Sequence, residues 1–503
     1  MKIARVLVAN RGEIALRIIR ACHEEGLAAV AVYSEADRLS PHVRAADAAV
    51  AIGPPAAAQS YLDQDKLIAA ARSTGCQAVH PGYGFLSERA PFAEAVRAAG
   101  LVFVGPPAEA IRAMGDKTEA RRRIQAAGLP IVPGSMQPAR DAADARRDAQ
   151  RLGFPVLLKA AAGGGGKGMR LVSGAGEIEN AFAAAESEAG KAFGDGALYV
   201  EKYIDRPRHI EVQVLADDHG RVVALGEREC SIQRRHQKLV EEAPSPAVTP
   251  ALRRRLAEAA TAAAGAVGYR SAGTIEFLLG RGGEFYFLEM NTRIQVEHPV
   301  TELVYGVDLV REQLHIAAGR PMRVHPGILN PRGHAIECRI TAEDPFNDFL
   351  PAAGLVRYLR APAGPGVRWD AGIESGNEVT LFYDPLLAKL VVWGETRDVA
   401  IVRMARALRE LVVVGVPTSQ TFHVRLMDEP AFRRGDVDIT YLERVGAGLL
   451  KSAPPEDVTR AVAVAAAVLT EQRRGAPAPA PDAAPGSAST SVWTETGRRD
   501  ALR

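Results

Sequence analysis

Apolar positions along the chain fall into short β-prone runs separated by stretches of helical period. Runs at 3–9, 28–33, 48–52, 76–79 and 101–104 alternate with helical pattern, and the first helix, 14–25, is amphipathic. Such alternation predicts βαβ units and a parallel sheet of Rossmann type. The tight turn His80-Pro-Gly-Tyr-Gly84 closes a later strand and puts Tyr83 on a loop at the sheet edge, and Gly105-Pro-Pro107 punctuates the end of this region. Helical material then runs from Ala108 to Ala127, followed by strands at 154–160 and 169–173, a helix at 177–191 and a strand at 197–204. The strand 209–215 alternates, so His209, Glu211 and Gln213 share one face. Residues 229–244 show no helical or strand period and read as a charged loop, and 250–267 as an alanine-rich helix. Two apolar runs joined by Gly280 to Gly283 predict a hairpin. A helix over 308–319 and a turn-rich connector at 321–331 precede a β-rich module from His334 to about 446, with strands at 354–359, 367–369, 378–381 and 387–393 and a helix at 397–410. From Ser452 the chain turns to Ala, Pro and Ser, and 476–490 is linker-like.

Chemistry concentrates in and after that hairpin. Counting back from its turn sets Glu276 and Glu289 within a residue or two of opposite, and Asn291 adds a neutral oxygen. Two carboxylates and a carbonyl oxygen suit Mg²⁺, which takes one or two carboxylates together with substrate phosphates. Arg293, Gln295 and Glu297 follow at spacing two, so in an extended chain a cation, an amide and a base point one way. The loop Gly163–Gly168 lacks the first glycine and the Ser/Thr of a phosphate-binding P-loop, and a strand follows it. A glycine hairpin folding over phosphates fits it better, because backbone N–H groups can then approach the anion. The strand ending Glu201-Lys-Tyr-Ile204 offers backbone groups and apolar flanks to an adenine. The charged stretch 229–244 interleaves both signs with Gln and His, which suits a site for a small anion.

Composition narrows the class. A net charge of +2 over 503 residues argues against nucleic acid as a partner. Four separated cysteines form no C-x-x-C pair and fit a reducing cytoplasm, and the first residues enter a strand without a signal-peptide pattern. No stretch is long and apolar enough to suggest a membrane span, so a soluble cytoplasmic protein is expected. The first turn, Ala9-Asn-Arg-Gly-Glu-Ile-Ala15, is not G-x-G-x-x-G, which removes the dinucleotide fingerprint and leaves Asp37 as a weak ribose candidate.

Taken together, Asn10-Arg-Gly-Glu-Ile-Ala15, His80-Pro-Gly-Tyr-Gly84, Lys159 with its glycine loop, Ser231-Ile-Gln-Arg-Arg-His-Gln-Lys238 and Glu289-Met-Asn-Thr-Arg-Ile-Gln-Val-Glu-His298 resemble the biotin carboxylases of the ATP-grasp superfamily. The resemblance covers roughly 1–446. It implies an α/β (in part α+β) fold: a Rossmann-like domain over 1–115, an ATP-grasp domain over 116–330 with a lid at about 132–204, a β-rich C-terminal domain over 331–446, and a linker and tail over 447–503. It further implies ATP contacts from Lys117, Lys159, Gly165, Gly166, Glu201, Lys202, Tyr203, Ile204, His209, Gln233, His236, Glu276 and Glu289. Two Mg²⁺ (or Mn²⁺) ions would sit on Glu276, Glu289 and Asn291. Lys238, Arg293, Gln295 and Val296 would hold bicarbonate, Glu297 would deprotonate it, and Tyr83 and Arg339 would meet biotin. Two departures stand out: Ala162 occupies the start of the family's glycine run, and Lys167 stands where relatives often carry Arg.

The chain lacks a Met-Lys-Met attachment sequence and has no room for a carboxyltransferase domain. The implied partners are therefore a separate biotin carboxyl carrier protein and carboxyltransferase subunits, with the chain itself a homodimer. Acetyl-CoA carboxylase is the implied parent, and a pyruvate or propionyl-type carboxylase the alternative. A carbamoyl-phosphate enzyme would show a tandem repeat, which is absent, and a nicotinamide dehydrogenase would need the missing fingerprint.

Overall fold

The computed structural model describes residues 2–135, 137–161, 168–324, 330–451 and 456–475. Strands β1 (Arg5–Val8), β2 (Ala28–Ser34), β3 (Ala48–Gly53), β4 (Ala78–His80) and β5 (Val102–Phe103) form the expected parallel sheet in the order β3-β2-β1-β4-β5. Helix α1 (Gly12–Glu24) buries Ile14, Ala15, Ile18, Ile19 and Cys22 on one face, the 3–4 spacing that an amphipathic helix needs. Asp37 is engaged within the protein. Arg11 donates two bonds of 2.7 Å to its carboxylate and Tyr61 a third of 2.6 Å.

The helical stretch expected over 108–127 is broken. It forms Ala108–Gly115 and α2 (Lys117–Ala126), because Asp116 turns extended and its carboxylate accepts from the backbone N–H groups of Thr118 and Glu119. A small antiparallel sheet of β6 (Val156–Ala160), β7 (Arg170–Val172) and β8 (Leu198–Lys202) packs against α3 (Ala142–Leu152) and α4 (Ile178–Phe193). The glycines between β6 and β7, including Gly165 and Gly166, lie outside the described residues.

One eight-stranded sheet organises the remainder. It contains β9 (Arg208–Ala216), β10 (Val222–Arg234), β11 (Gln237–Ala243), β12 (Ser271–Leu279), β13 (Phe285–Asn291), β14 (His334–Thr341), β15 (Val367–Ala371) and β16 (Leu386–Gly394). Their order is β13-β12-β9-β10-β11-β14-β16-β15. The stretch 229–244, read from its pattern as a loop, is thus half of β10 and all of β11. Its polar residues defeat the usual alternation because both faces of these strands are covered and the charged ones pair with one another inside. The β11–β14 ladder sets Glu241 opposite Glu337 and carries the sheet without interruption past residue 330. Helix α5 (Pro250–Ala266) packs Leu252, Leu256, Ala260 and Ala263 over Ile210, Val212, Ile275 and Phe277. Thr249 caps it through Leu252 N, with Pro250 at the first helical position.

Helix α6 (His298–Tyr305) follows β13 closely and precedes α7 (Leu309–Ala317). Beyond β16 lie α8 (Arg397–Glu410) and three helices that the pattern did not suggest, Gln420–Asp428, Pro430–Arg434 and Tyr441–Lys451. They bury Phe422, Leu426, Met427 and Phe432 against β14, β16 and α8. Gly372, just after β15, permits a close approach: a Cβ there would lie 2.6 Å from the backbone N of Glu13 at the start of α1. Residues Met1–Leu450 form one compact unit and Lys451–Arg503 a second, in which Glu456–Gly475 is a helix with exposed Val462, Val464 and Leu469. No helix among the described residues is long and apolar enough to cross a membrane. The four cysteines are free thiols and all buried.

Candidate active site

A cavity of about 700 Å³ opens between the N-terminal sheet, the β6–β8 layer and the eight-stranded sheet. Lys159, His209, Lys238, Glu276, Glu289 and Asn291 line one part of it. Tyr83, Gln295, Val296 and Arg339 line another.

The β12–β13 register places Glu276 directly opposite Glu289, with an irregularity immediately after Glu276. Glu276 Oε1 accepts from Asn291 Nδ2 at 2.8 Å and Lys238 Nζ at 2.9 Å, and Oε2 lies 2.9 Å from His209 Nε2. Burial alone would push this carboxyl up, but Lys238 and His209 hold it well below the usual carboxylate range. His209 responds in the opposite sense. Burial pulls its pKa down, and the facing Glu276 carboxylate more than offsets that, so it ends raised. Gln233 Nε2 lies 2.8 Å from His209 Nδ1 and fixes the ring. The two opposed carboxylates and the Asn291 amide form a hard-oxygen donor set that fits Mg²⁺ or Mn²⁺.

Lys238, on β11, donates to Glu211 at 2.6 Å, Glu276 at 2.9 Å and Glu297 at 2.8 Å. Burial works against its charge and the three carboxylates prevail, so its pKa lies well above the usual lysine value. Glu297 is fully buried and also receives Arg339 Nη2 at 3.0 Å. Lys238, then Arg339 and Arg228, overcome the burial that would raise its carboxyl and keep it ionised. Arg228, with no exposed surface, holds Glu211, Gln213 at 2.8 Å, Thr301 at 2.9 Å and Thr274 at 3.1 Å. Arg339 is clamped from its other side by Glu241, its Nε donating at 2.6 Å.

The segment after Asn291 does not stay extended. A turn at Val296–Glu297 leads into α6, and Glu297 occupies the position just before the helix. The convergence expected from spacing two is produced by this turn instead. Arg293 donates to Glu88 at 2.8 Å, to Asn291 Oδ1 at 3.1 Å and to Gln295 Oε1 at 3.1 Å. That last bond fixes the Gln295 amide, whose Nε2 is buried with no hydrogen-bond partner among the described residues. An unspent donor in a cavity that Lys238 also lines is what an anion requires.

Other expected residues divide. Lys159 Nζ donates to Glu201 at 2.7 Å, and Arg121 bonds the same carboxylate at 2.5 Å. Lys202 donates to the carbonyls of Gly153 (2.8 Å) and Phe154 (3.2 Å). The backbone N–H of Tyr203 is taken by the Pro155 carbonyl at 3.2 Å, and Ile204 follows it outside the strand. His236 sits at the exposed β10–β11 turn on the cavity rim, and Lys117 opens α2. Tyr83 donates to Glu13. Sequence reasoning missed Glu13, Glu241, Arg228 and Lys389. For Lys389 a signal existed: it is a lysine in the otherwise apolar run Leu386–Val392.

Three family models match: the N-terminal domain of biotin carboxylase over residues 2–111, the ATP-binding domain of carbamoyl-phosphate synthase L chain over 116–325, and the C-terminal domain of biotin carboxylase over 337–444. The biotin carboxylase of Nostoc sp. is 53% identical over 445 residues, 88% of this chain and 100% of the relative. The chain belongs to the biotin carboxylase family. It is an ATP-dependent ligase, and its reaction is the ATP-dependent carboxylation of biotin. A pyruvate carboxylase subunit from Methanothermobacter thermautotrophicus is 50% identical, covering 89% of this chain and 91% of that protein. Among solved structures, the biotin carboxylase domain dimer of Hydrogenobacter thermophilus 2-oxoglutarate carboxylase, described as a complex with MgADP, ADP and bicarbonate, superposes with a TM-score of 0.85 at 44% identity, covering 90% of this chain and all of the other.

Proposed function

We propose that this biotin carboxylase serves an acetyl-CoA carboxylase assembled from several subunits and acts on biotin borne by a separate carrier protein. In this reading the cavity holds ATP against Lys117, Lys159, His209, Gln233 and His236, with the strand end from Glu201 to Ile204 and the glycines Gly165 and Gly166 completing the nucleotide pocket. Glu276, Glu289 and Asn291 would hold the Mg²⁺ or Mn²⁺ ions, which supply charge neutralisation on the phosphates.

Bicarbonate sits on Lys238, Arg293, the Val296 N–H and Gln295 Nε2. The unspent Gln295 donor, buried in the cavity that Lys238 also lines and held by Arg293, carries this reading. Glu297 takes the bicarbonate proton while the freed oxygen attacks the γ-phosphorus of ATP, giving carboxyphosphate and ADP; positioning supplies most of the rate. Carboxyphosphate releases CO₂ and phosphate inside the cavity, and phosphate accepts the N1′ proton of biotin. The ureido oxygen becomes an enolate facing Arg339, N1′ bonds to CO₂, and Tyr83 lines the biotin side. A homodimer and a carboxyltransferase partner complete the assembly. The dimer described for the Hydrogenobacter domain supports the first. The likeness to the Methanothermobacter pyruvate carboxylase chain favours a second reading, the same half-reaction in a pyruvate-type enzyme.

The test is ADP release with ATP, Mg²⁺ and bicarbonate, with and without free biotin, in wild type and Glu297→Ala. Stimulation by biotin that falls at least about 100-fold in the variant is expected, the usual scale of a lost general base. ATP turnover indifferent to biotin would overturn the assignment of Tyr83 and Arg339.

A further inference from the structure

Lys389 is a fully buried charged residue that the proposed chemistry leaves unused. It lies on β16 with no exposed surface, inside the apolar run Leu386–Val392. Its Nζ donates to the Val296 carbonyl at 2.9 Å and forms an ion pair with Glu13 Oε2 at 3.1 Å. Glu13 Oε1 in turn accepts from the Tyr83 hydroxyl. One ammonium therefore touches the peptide that closes the bicarbonate pocket and, through a single carboxylate, the tyrosine on the biotin wall. The three partners come from distant chain segments: α1, the turn before α6, and β16.

The surroundings give it little alternative. Across the sheet Lys389 faces Arg339 on one side and Asp370 on the other. Asp370 is taken by Arg368, whose Nη2 lies 2.7 Å away. Glu337, two residues from Arg339 along β14, has no hydrogen-bond partner among the described residues, and burial raises its pKa well above the usual value although the Lys389 charge opposes the shift. Glu13 and the Val296 carbonyl are the groups that Lys389 Nζ meets within 3.1 Å, and a buried ammonium without them would be costly.

We propose that Lys389 is a positioning residue which sets the Val296 turn and the Glu13–Tyr83 pair together, so that the bicarbonate pocket and the biotin wall adopt one geometry. It touches no substrate. Its effect passes through Val296 on one side and Tyr83 on the other, and it rests on the assignment of those two groups given above. The nucleotide end of the cavity, at Lys159, His209 and Glu276, has no bond to it.

The test is steady-state kinetics of Lys389→Met, which keeps most of the unbranched side chain and removes the charge, beside Lys389→Arg and Glu13→Gln. Expected is a rise of about tenfold or more in KM for both bicarbonate and biotin in Lys389→Met, with KM for ATP within about twofold, that factor of ten being worth about 1.4 kcal/mol. More ADP should also form per carboxybiotin, because an ill-set wall lets CO₂ escape. Lys389→Arg should recover part of the loss. Glu13→Gln, which keeps an acceptor for Tyr83 but removes the carboxylate that pairs with Lys389, should raise KM for biotin more than for bicarbonate; this variant decides the matter if Lys389→Met does not fold. Equal rises in all three KM values, or a lowered Tm with unchanged kinetics, would overturn the proposal. A wild type without biotin-stimulated ADP release would overturn the functional reading as well, whereas a stimulated wild type matched by Lys389→Met would remove this inference alone.

Discussion

At the scale of single residues, the proposed bicarbonate pocket sets the unspent Gln295 amide donor among groups whose bonds, among the described residues, are already made. Lys238 is shared by three carboxylates, Arg293 is bonded to Glu88, Asn291 and Gln295, and Arg339 is held between Glu241 and Glu297. An arriving anion must displace part of those bonds, but the Gln295 amide can meet it directly. A hydrogen bond to a charged group contributes about 1.5–3 kcal/mol. Gln295→Met, similar in volume and without the donor, should therefore raise KM for bicarbonate by about tenfold or more while KM for ATP moves less than about twofold. Bicarbonate titrations of ADP release at saturating ATP measure both. An unchanged bicarbonate KM would mean that the amide points at something other than the anion.

At the scale of elements, the helical and apolar parts were largely legible. The parallel strands of the N-terminal sheet, α1, α5, α8 and the β12–β13 hairpin all follow from period and turn residues, and the facing of Glu276 and Glu289 could be counted from the glycine turn. The β10–β11 hairpin could not. Its Glu229, Glu241, Glu242 and Lys238 obscure the two-residue period, because they point into a covered polar interior and not into water. Sequence statistics treat a charge as exposed, whereas here each one has an opposite charge waiting on another strand. Glu211 was placed on the correct strand face, but its partner Arg228 lies on β10 and no local rule joins the two. The same blindness hid Lys389 and Glu241. Arg228 thus acts as the pin of this hairpin. Removing one member of a fully buried pair costs roughly 3–5 kcal/mol, so Arg228→Met should lower the denaturation midpoint by a corresponding amount and, by loosening Glu211, also slow ADP release. Equilibrium denaturation gives the first and the ADP assay the second. A stability near wild type would mean that Glu211 is satisfied by Lys238 alone.

At the scale of the whole molecule, buried ion pairs join segments that are remote in the chain, and this makes stability depend on acid in a definite direction. Glu302 on α6 accepts from Arg17 of α1 at 2.9 Å and Arg368 of β15 at 2.7 Å, and Arg368 also holds Asp370. Glu242 is gripped by His334 at 2.6 Å and Arg397 at 2.7 Å. Burial raises all three carboxyls, but their cations prevail. Asp370 and Glu242 are lowered to about 2 and Glu302 is lowered too. A carboxyl whose folded pKa is depressed adds stability above its unfolded pKa of about 4, and that contribution is lost as pH falls through the folded value. Glu13, Glu241 and Glu337 have raised pKa values and act in the opposite sense, but their window lies above about pH 4. Below that pH they are protonated in both states and drop out of the balance. Tm should therefore fall steeply between about pH 4.5 and pH 2, and Glu302→Gln should show a lower Tm at pH 7 together with a shallower acid slope. Scanning calorimetry across this range on both proteins measures it. Equal slopes would mean that Glu302 does not take up its proton in the acid transition, and the links it makes between α1, α6 and β15 would then contribute nothing to acid sensitivity.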